Sequence, residues 1–383
     1  MPRLATFLIC ASVALLVAMG MVMLASTSYW VSGVEQPNFL INKQTKILIA
    51  SLVCCCVLVF LKPDQLRSLA PWIYGFGVLL LALCYAPYVG VKVNGASRWL
   101  HFPGLPQFQA SEIGKITTMI GIASWYAGRV AELRTFWKGF VIPGVILGLP
   151  TGLIFFEKDM DTAMAVGLTG FLVLLCIGVK LRYIAPVVVA VIAMGYVLIM
   201  KDDTRRLRIE AWQHLEENLK EYQDINRQQW RSLLGFGNGG VEGRGLGNGI
   251  EKHGYLPEAH TDFIFPVIGE ELGLWFTLGV VICYIAFGIG GFIIAMNTTD
   301  MFMRTMAVGL TLLLLIPAFI NIAVTVGLFP NAGLPLPFIS YGGTNLMFSL
   351  WSVALLICIN RASIRREGGS TPEFLHTPVP MKL

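Results

Sequence analysis

Apolar runs of about 15 to 22 residues, separated by short polar stretches, recur through most of the chain. They lie near 5–26, 45–61, 71–90, 109–127, 138–156, 162–179, 183–200, 263–297, 305–328 and 346–361. Runs of this length match the hydrocarbon thickness of a bilayer once helical, so the pattern predicts an all-α polytopic protein with about ten membrane helices. The first run is longer than the apolar region of a signal peptide and more spans follow, so it is expected to be retained.

One segment breaks the rhythm. From Lys201 to Thr261 there is no spanning run, and nine basic and ten acidic residues fall there. Its first part, "RRLRIEAWQHLEENLKEYQDINRQQW", places Ile209, Trp212, Leu215 and Leu219 on one face at helical spacing, the pattern of one or two amphipathic helices lying on the membrane surface. Its second part, "GFGNGGVEGRGLGNG", holds eight glycines in the fifteen residues from Gly235 to Gly249. No strand precedes it and no Lys-Ser/Thr follows, which argues against a nucleotide loop; backbone bent closely around another group fits better. A single membrane domain over 1–361, with 201–261 as its external loop, and a flexible tail over 362–383 complete the expected organisation.

Composition agrees. The chain is 55% hydrophobic and 13% charged, with mean hydropathy +0.68, where a soluble domain carries about a quarter charged residues. Basic residues set the orientation. With the N-terminus inside, Arg3, Lys62, Arg67, Arg129, Arg134, Lys138, Lys180, Arg182, Arg304, Arg361, Arg365 and Arg366 fall in cytoplasmic loops. The net charge of +5 follows from these loops, and nothing in it points to nucleic acid. All eight cysteines lie within apolar runs and none forms a C-x-x-C pair, so they read as small apolar helix residues.

Ionisable groups at the edge of a membrane are costly unless paired or wet, and mark functional candidates. Four stretches qualify, all on the external side. In "NGASRWLHFPGLPQFQASEIGK", Glu112 and Lys115 sit three apart on one helix face, positioned for a structural salt bridge or a direct role, while Arg98 beside Trp99 is a cation or an interfacial anchor. In "FFEKDMDTA", Asp159-Met160-Asp161 has the D-x-D form that carries a divalent cation in many sugar-nucleotide transferases, although those enzymes are soluble folds and the pattern is short. In "PEAHTDFIFPVIGEELG", Asp262 opens the eighth run and shares a face with Pro266, Gly269 and Gly273, with Glu258, His260 and Thr261 just before it; simple helix capping is the alternative for Asp262. In "GLFPNAGLPLPFISYGGTNLM", which contains Ser340, three prolines and four glycines interrupt the apolar pattern, and irregular backbone at that depth is tolerated only where it is buried or lines a cavity.

Taken together, "NGASRW", "QFQASEIGK", "DMDTA", "RSLLGFGNGGVEGRGLGNG", "GYLPEAHTDFIFPVIGEELG" and "GLPLPFISYGG" resemble, in order and over nearly the whole chain, the SEDS family of RodA and FtsW proteins of bacterial cell-wall synthesis. The resemblance implies ten helices with a large external loop between the seventh and eighth. It also implies peptidoglycan glycosyltransferase activity that polymerises lipid II outside the cytoplasmic (inner) membrane, with a class B penicillin-binding protein transpeptidase and other divisome or elongasome membrane proteins as partners. It implies Asp262 as the catalytic residue, with Glu112, Lys115 and Asp159 on matching motif positions. Ala110, Lys158, Asp161 and Thr344-Asn345 depart from the family pattern, which leaves the carry-over to Asp159 the least secure.

The chemistry is consistent with such a transfer. A carboxylate that accepts the proton of an attacking sugar hydroxyl contributes about 10² to 10⁴ in rate. The diphosphate leaving group needs positive charge instead of a proton, for which Lys115, Arg98, Arg244 or a divalent cation such as Mg or Mn are candidates. Glu258, His260, Thr261 and Ser340 are expected to support the substrate. Glu270 and Glu271 are expected to tie the eighth helix into the bundle. The competing readings are a lipid flippase or transporter and a non-catalytic scaffold for a transpeptidase. Between division at the septum and elongation, "GMVMLAST" and "EAHTDFIFPVIGEELG" lean to the FtsW branch.

Overall fold

The computed structural model describes residues 2–32, 38–87, 89–93, 96–104, 107–215 and 223–369. The helices are α1 (Pro2–Ser32), α2 (Phe39–Leu58), α3 (Pro63–Leu83), α4 (Ala110–Tyr126), α5 (Ile142–Phe156), α6 (Met160–Cys176) and α7 (Leu181–Lys201). They continue as α8 (Asp203–Gln213), α9 (Gln223–Gly239), α10 (Ile264–Leu272), α11 (Leu274–Asn297), α12 (Met301–Thr325) and α13 (Gly343–Gly369). Among the described residues, eight helices are long and apolar enough to cross a membrane. The other two expected spans are the 17-residue helices α4 and α6, so a helix occupies each of the apolar runs. The chain is a multi-pass membrane protein.

Burial ranks the spans. Among the eight long spans, 72% of the apolar window of α12 is buried, against 6% in α7, so α12 lies inside the bundle and α7 stands at its margin. α12 packs on α4, α6 and α11, and α1 lies along α11. Without a hydrophobic driving force in lipid, such contacts depend on close approach. Two places show it: Gly291 of α11 faces Thr311 of α12, and Gly309 of α12 faces Met119 of α4.

Three features differ from the sequence pattern. The eighth run is not one helix. It breaks at Gly273 (φ +81°) into α10 and α11, because the chain there passes so close to the backbone of residues 241–243 that a side chain would collide. Between α3 and α4 lies a small antiparallel sheet of β1 (Gly90–Val93), β2 (Ala96–Leu100) and β3 (Phe108–Gln109), in order β1-β2-β3. It pairs Val91 with Trp99 and Trp99 with Gln109. Lastly, α13 runs on to Gly369, past the boundary expected at Ala362; the expected tail from 370, like Leu219 of the amphipathic face and the "NG" of "NGASRW", lies outside the described residues.

One end of the bundle gathers the basic loops. Arg366 pairs with Asp64 (2.8 Å) and Asp300 (3.4 Å), and Arg67 approaches Asp300 at 3.8 Å. The four polar stretches lie at the opposite end. The long connection there forms α8 and α9, and α9 packs across the end of α12. Gln229 Nε2 donates to the carbonyls of Val324 (3.1 Å) and Phe329 (2.7 Å), and Ser232 Oγ donates to that of Thr325 (2.5 Å). The bonds to Val324 and Thr325 satisfy carbonyls that the C-terminus of α12 leaves open.

Candidate active site

Asp262 sits where four chain segments meet. It lies two positions before α10, and Phe263, not Asp262, is the helix N-cap and makes no side-chain cap bond. The capping alternative for Asp262 is therefore overturned: its carboxylate accepts no hydrogen bond among the described residues and remains partly exposed. Its backbone is fixed instead. Asn321 Nδ2 in α12 donates to the Asp262 carbonyl (2.7 Å) and to the Leu334 carbonyl (2.7 Å). Ser340 Oγ donates to the Thr261 carbonyl (2.7 Å) and accepts from the Leu336 amide (2.8 Å). The Tyr341 amide donates to the His260 carbonyl (2.9 Å). Ser340 is thus a clip between the 257–263 and 330–343 loops.

Glu258 lies in the left-handed region (φ +56°), and its carboxylate accepts from Thr261 Oγ1 at 2.7 Å. Among the described residues three non-glycine residues adopt such a φ: Lys158, Glu258 and Phe338. Each lies within four positions of Asp159, Asp262 or Ser340. Backbone of this kind persists only where its surroundings over-determine it, and it clusters at functional sites.

The second wall comes from the sheet and the α5–α6 turn. Asp159 is buried and caps α6 through the Thr162 amide (3.3 Å). Gln109 Nε2 donates to it (3.2 Å), Arg98 lies 3.8 Å from it, and Arg98 Nη2 donates to the Lys158 carbonyl at 2.5 Å. Two residues on, Asp161 Oδ2 accepts from the Gly333 amide (3.0 Å). A Cβ at Gly333 would lie 3.4 Å from Asp262 Oδ2 and 3.7 Å from Asp161 Oδ2, so two carboxylates converge on one piece of backbone. Glu157 is buried beside Cys84.

Charge follows geometry. Burial pushes the Asp262 carboxyl up to about 7; the carboxylates of Glu258, Asp161 and Asp159 push the same way, and Arg98 pulls it back. Burial lowers the His260 pKa, with Glu258 opposing, which favours the neutral ring. Glu157 is raised to about 8, first by burial. A carboxyl poised near neutrality in a partly open site is suited to take a proton. Among the described residues no three His, Cys, Asp or Glu side chains converge as a ligand set. Mg or Mn held by Asp161 and Asp262 would need further oxygens, such as those of a bound phosphate.

The other expected residues lie apart. Glu112 and Lys115 are buried and pair with each other at 2.8 Å. They border a cavity of about 10 Å³, room for one water, with Pro337 and Asn345. Arg244 is exposed, and its amide donates to the Glu270 carbonyl (2.9 Å) at the far end of α10. Glu270 lies eight positions after Asp262, roughly 12 Å away at 1.5 Å per residue. The Gly-rich loop there folds around two buried carboxylates. Glu270 accepts from the amides of Ile250 (2.9 Å) and Glu251 (3.1 Å). Glu271 accepts from the Gly247 amide (2.9 Å), Ser26 Oγ (2.8 Å) and Lys252 Nζ (2.5 Å). Glu270 and Glu271 do tie this segment into the bundle, through a loop and α1. Sequence reasoning passed over Asn321 and Gln109; for Asn321 the signal was a carboxamide inside an apolar run four residues after Pro317.

Comparison with known proteins gives a consistent result. A family model described as "Cell cycle protein" (FtsW/RodA/SpoVE) matches residues 6–365. A probable peptidoglycan glycosyltransferase FtsW of Geobacter metallireducens is 37% identical over 318 residues, 82% of this chain and 83% of that protein. One of Marinobacter nauticus is 34% identical over 365 residues, 94% and 89% of the two chains. Among solved structures, the rod shape determining protein RodA of Thermus thermophilus superposes with TM-score 0.69 at 25% identity, covering 93% of this chain and 96% of that one. A chain of a peptidoglycan synthase complex, from a structure concerned with the coordination of polymerization and crosslinking, superposes with TM-score 0.76 at 24% identity, over 93% and 97%.

Proposed function

Since the chain belongs to the FtsW/RodA/SpoVE family, we propose that it is a peptidoglycan glycosyltransferase whose catalytic base is Asp262. Its substrate is lipid II, a disaccharide-pentapeptide on a polyprenyl diphosphate, used at the outer face of the cytoplasmic membrane. The observation that carries the assignment is the Asp262 carboxylate itself: partly exposed, free of hydrogen bonds, raised to about 7, and fixed through its backbone by α12.

The 4-hydroxyl of a GlcNAc attacks the anomeric carbon of a MurNAc. The new C–O bond forms as the bond to the diphosphate breaks, that electron pair leaves with the diphosphate, and the hydroxyl proton passes to Asp262. One base suffices because the leaving group departs as a stable anion, unlike the two-carboxylate arrangement of glycosidases. A single displacement inverts the α-linked donor to a β-1,4 bond. Glu258, Asp159 and Asp161 keep the base basic, and Asn321 and Ser340 hold it in place. The partner we assign is a class B penicillin-binding transpeptidase, in keeping with the likeness to a chain of a synthase complex that also crosslinks. The FtsW relatives support a role in division.

The test is polymerisation of purified lipid II by the purified protein with its transpeptidase, comparing wild type with Asp262→Asn. Glycan ladders from wild type that vanish in a folded, partner-binding variant are expected. Ladders that persist remove Asp262 from the base role; no polymer from an active wild-type complex returns the flippase reading, to be followed by lipid II translocation in vesicles.

A further inference from the structure

A leaving diphosphate needs cations, and the three foreseen from sequence are not free to serve. Arg98 is engaged by Asp159 and the Lys158 carbonyl, Lys115 is buried against Glu112, and Arg244 lies at the far end of α10. The carboxylates beside Asp262 repel an anion. Yet the site has a neighbour of the opposite character. Between α8, α9 and the loops that carry Pro257 and Asn331 opens a cavity of about 490 Å³, within the range of ligand pockets.

Its polar lining includes Arg208 from α8, Arg227 and Gln228 from α9, and Asn331, whose Nδ2 donates to Gln228 Oε1 at 2.5 Å. Both arginines are exposed, and neither forms an ion pair among the described residues. Two guanidinium groups from different helices, beside fixed carboxamides, suit bidentate recognition of phosphate oxygens. The cavity also adjoins the base. Pro257 immediately precedes Glu258, and Asn331 lies two residues before Gly333, the residue on which the Asp262 and Asp161 carboxylates converge. Two residues span at most about 7 Å. Arg208 is close enough to act electrostatically on Asp161.

Resting on the glycosyltransfer reading, we propose that this cavity is the anion subsite of the donor, in which Arg208 and Arg227 receive the polyprenyl-linked diphosphate while Asp262 faces the sugar carbon bonded to it. The diphosphate is directly attached to the reacting carbon and carries the most concentrated negative charge of the substrate, so it is the group that must lie within one sugar's reach of Asp262. The volume left over accommodates part of the attached sugar. During transfer the electron pair of the breaking C–O bond stays on the diphosphate, and the two guanidinium groups meet the charge that develops there.

Binding of a fluorescent polyprenyl diphosphate to the full-length protein in phosphatidylcholine nanodiscs tests this without turnover. Affinity is expected to fall at least tenfold in Arg208→Gln/Arg227→Gln, less in Arg208→Lys/Arg227→Lys, and not at all in Arg365→Gln at the basic end. Equal affinity in the double glutamine variant, or no binding by wild type, overturns the proposal. Inorganic pyrophosphate is expected to displace the probe; displacement instead by a water-soluble disaccharide-pentapeptide, lost in the double variant, would reassign the arginines to peptide carboxylates. Arginine-dependent binding by a wild type that makes no glycan from lipid II would retire the glycosyltransfer reading and leave the anion subsite standing.

Discussion

Asn321 holds Asp262 by its backbone and not by its carboxylate: one carboxamide nitrogen donates at 2.7 Å to the carbonyl of Asp262 and at 2.7 Å to that of Leu334. The most buried of the eight long spans is thereby bonded to both loops that form the site, and the carboxylate is left free.

Replacing Asn321 by Leu leaves two carbonyls without their donor, at about 1–3 kcal/mol each where water cannot reach them. A base displaced by about 1 Å loses on the order of 10² in rate. Initial rates of lipid II polymerisation should show kcat reduced about 10- to 100-fold with KM little changed. A change confined to KM would argue against a positioning role.

The pH profile should report Asp262. The base acts ionised, so the rate rises with pH through about 7, its folded-state value. After burial, Glu258 is the largest cause that raises it, so Glu258→Gln moves the acidic limb to lower pH. Arg98 lowers it, so Arg98→Gln moves the limb upward. Glycan synthesis measured from pH 5 to 9 in the three proteins gives the order; coincident limbs would remove these side chains from the electrostatics of the base.

Glu157 makes a prediction about stability. Burial raises its folded pKa from 4.5 to about 8. The native state therefore binds a proton that the unfolded chain releases, so stability is full below about 4.5, falls as pH rises, and levels off above about 8. Glu157→Gln should lack this decline and exceed wild type in thermal midpoint at pH 8 to 9. A gap that does not depend on pH would mean that Glu157 stays ionised in the fold.

Lys252 and Glu271 are both buried and lie 2.5 Å apart. Removing one partner of a buried pair costs about 3–5 kcal/mol, because the other charge remains without compensation. In Glu271→Gln, the loop over 240–256 should be cleaved by added protease at least tenfold faster than in wild type. Unchanged cleavage would show that the loop is held by its other contacts.

The helices were legible because lipid imposes one period and one length; even the spans too short to score as crossings, α4 and α6, were visible as apolar runs. The break at Gly273 was not, since it depends on the backbone of residues 241–243, thirty positions earlier, packing against it. Asp262, Glu258, Thr261 and Ser340 were legible as polar groups in apolar surroundings, and they do come together. Arg244 was misplaced because a glycine-rich stretch gives no clue to which end of α10 it wraps. Asn321 and the arginine cavity escaped because their meaning lies in which loops α12, α8 and α9 reach across space, and that is written in no local pattern.

The glycine-rich loop has almost no apolar side chains of its own, and its shape is set by Glu270 and Glu271. The amides of Gly247, Ile250 and Glu251 bond to carboxylates 24, 20 and 19 positions later in the chain. A ribosome adds about 5–20 residues per second, so the loop leaves it about 1–5 s before its template exists. Until α10 is made, those amides have no carboxylate to bond, so synthesis runs from the loop towards the template that shapes it.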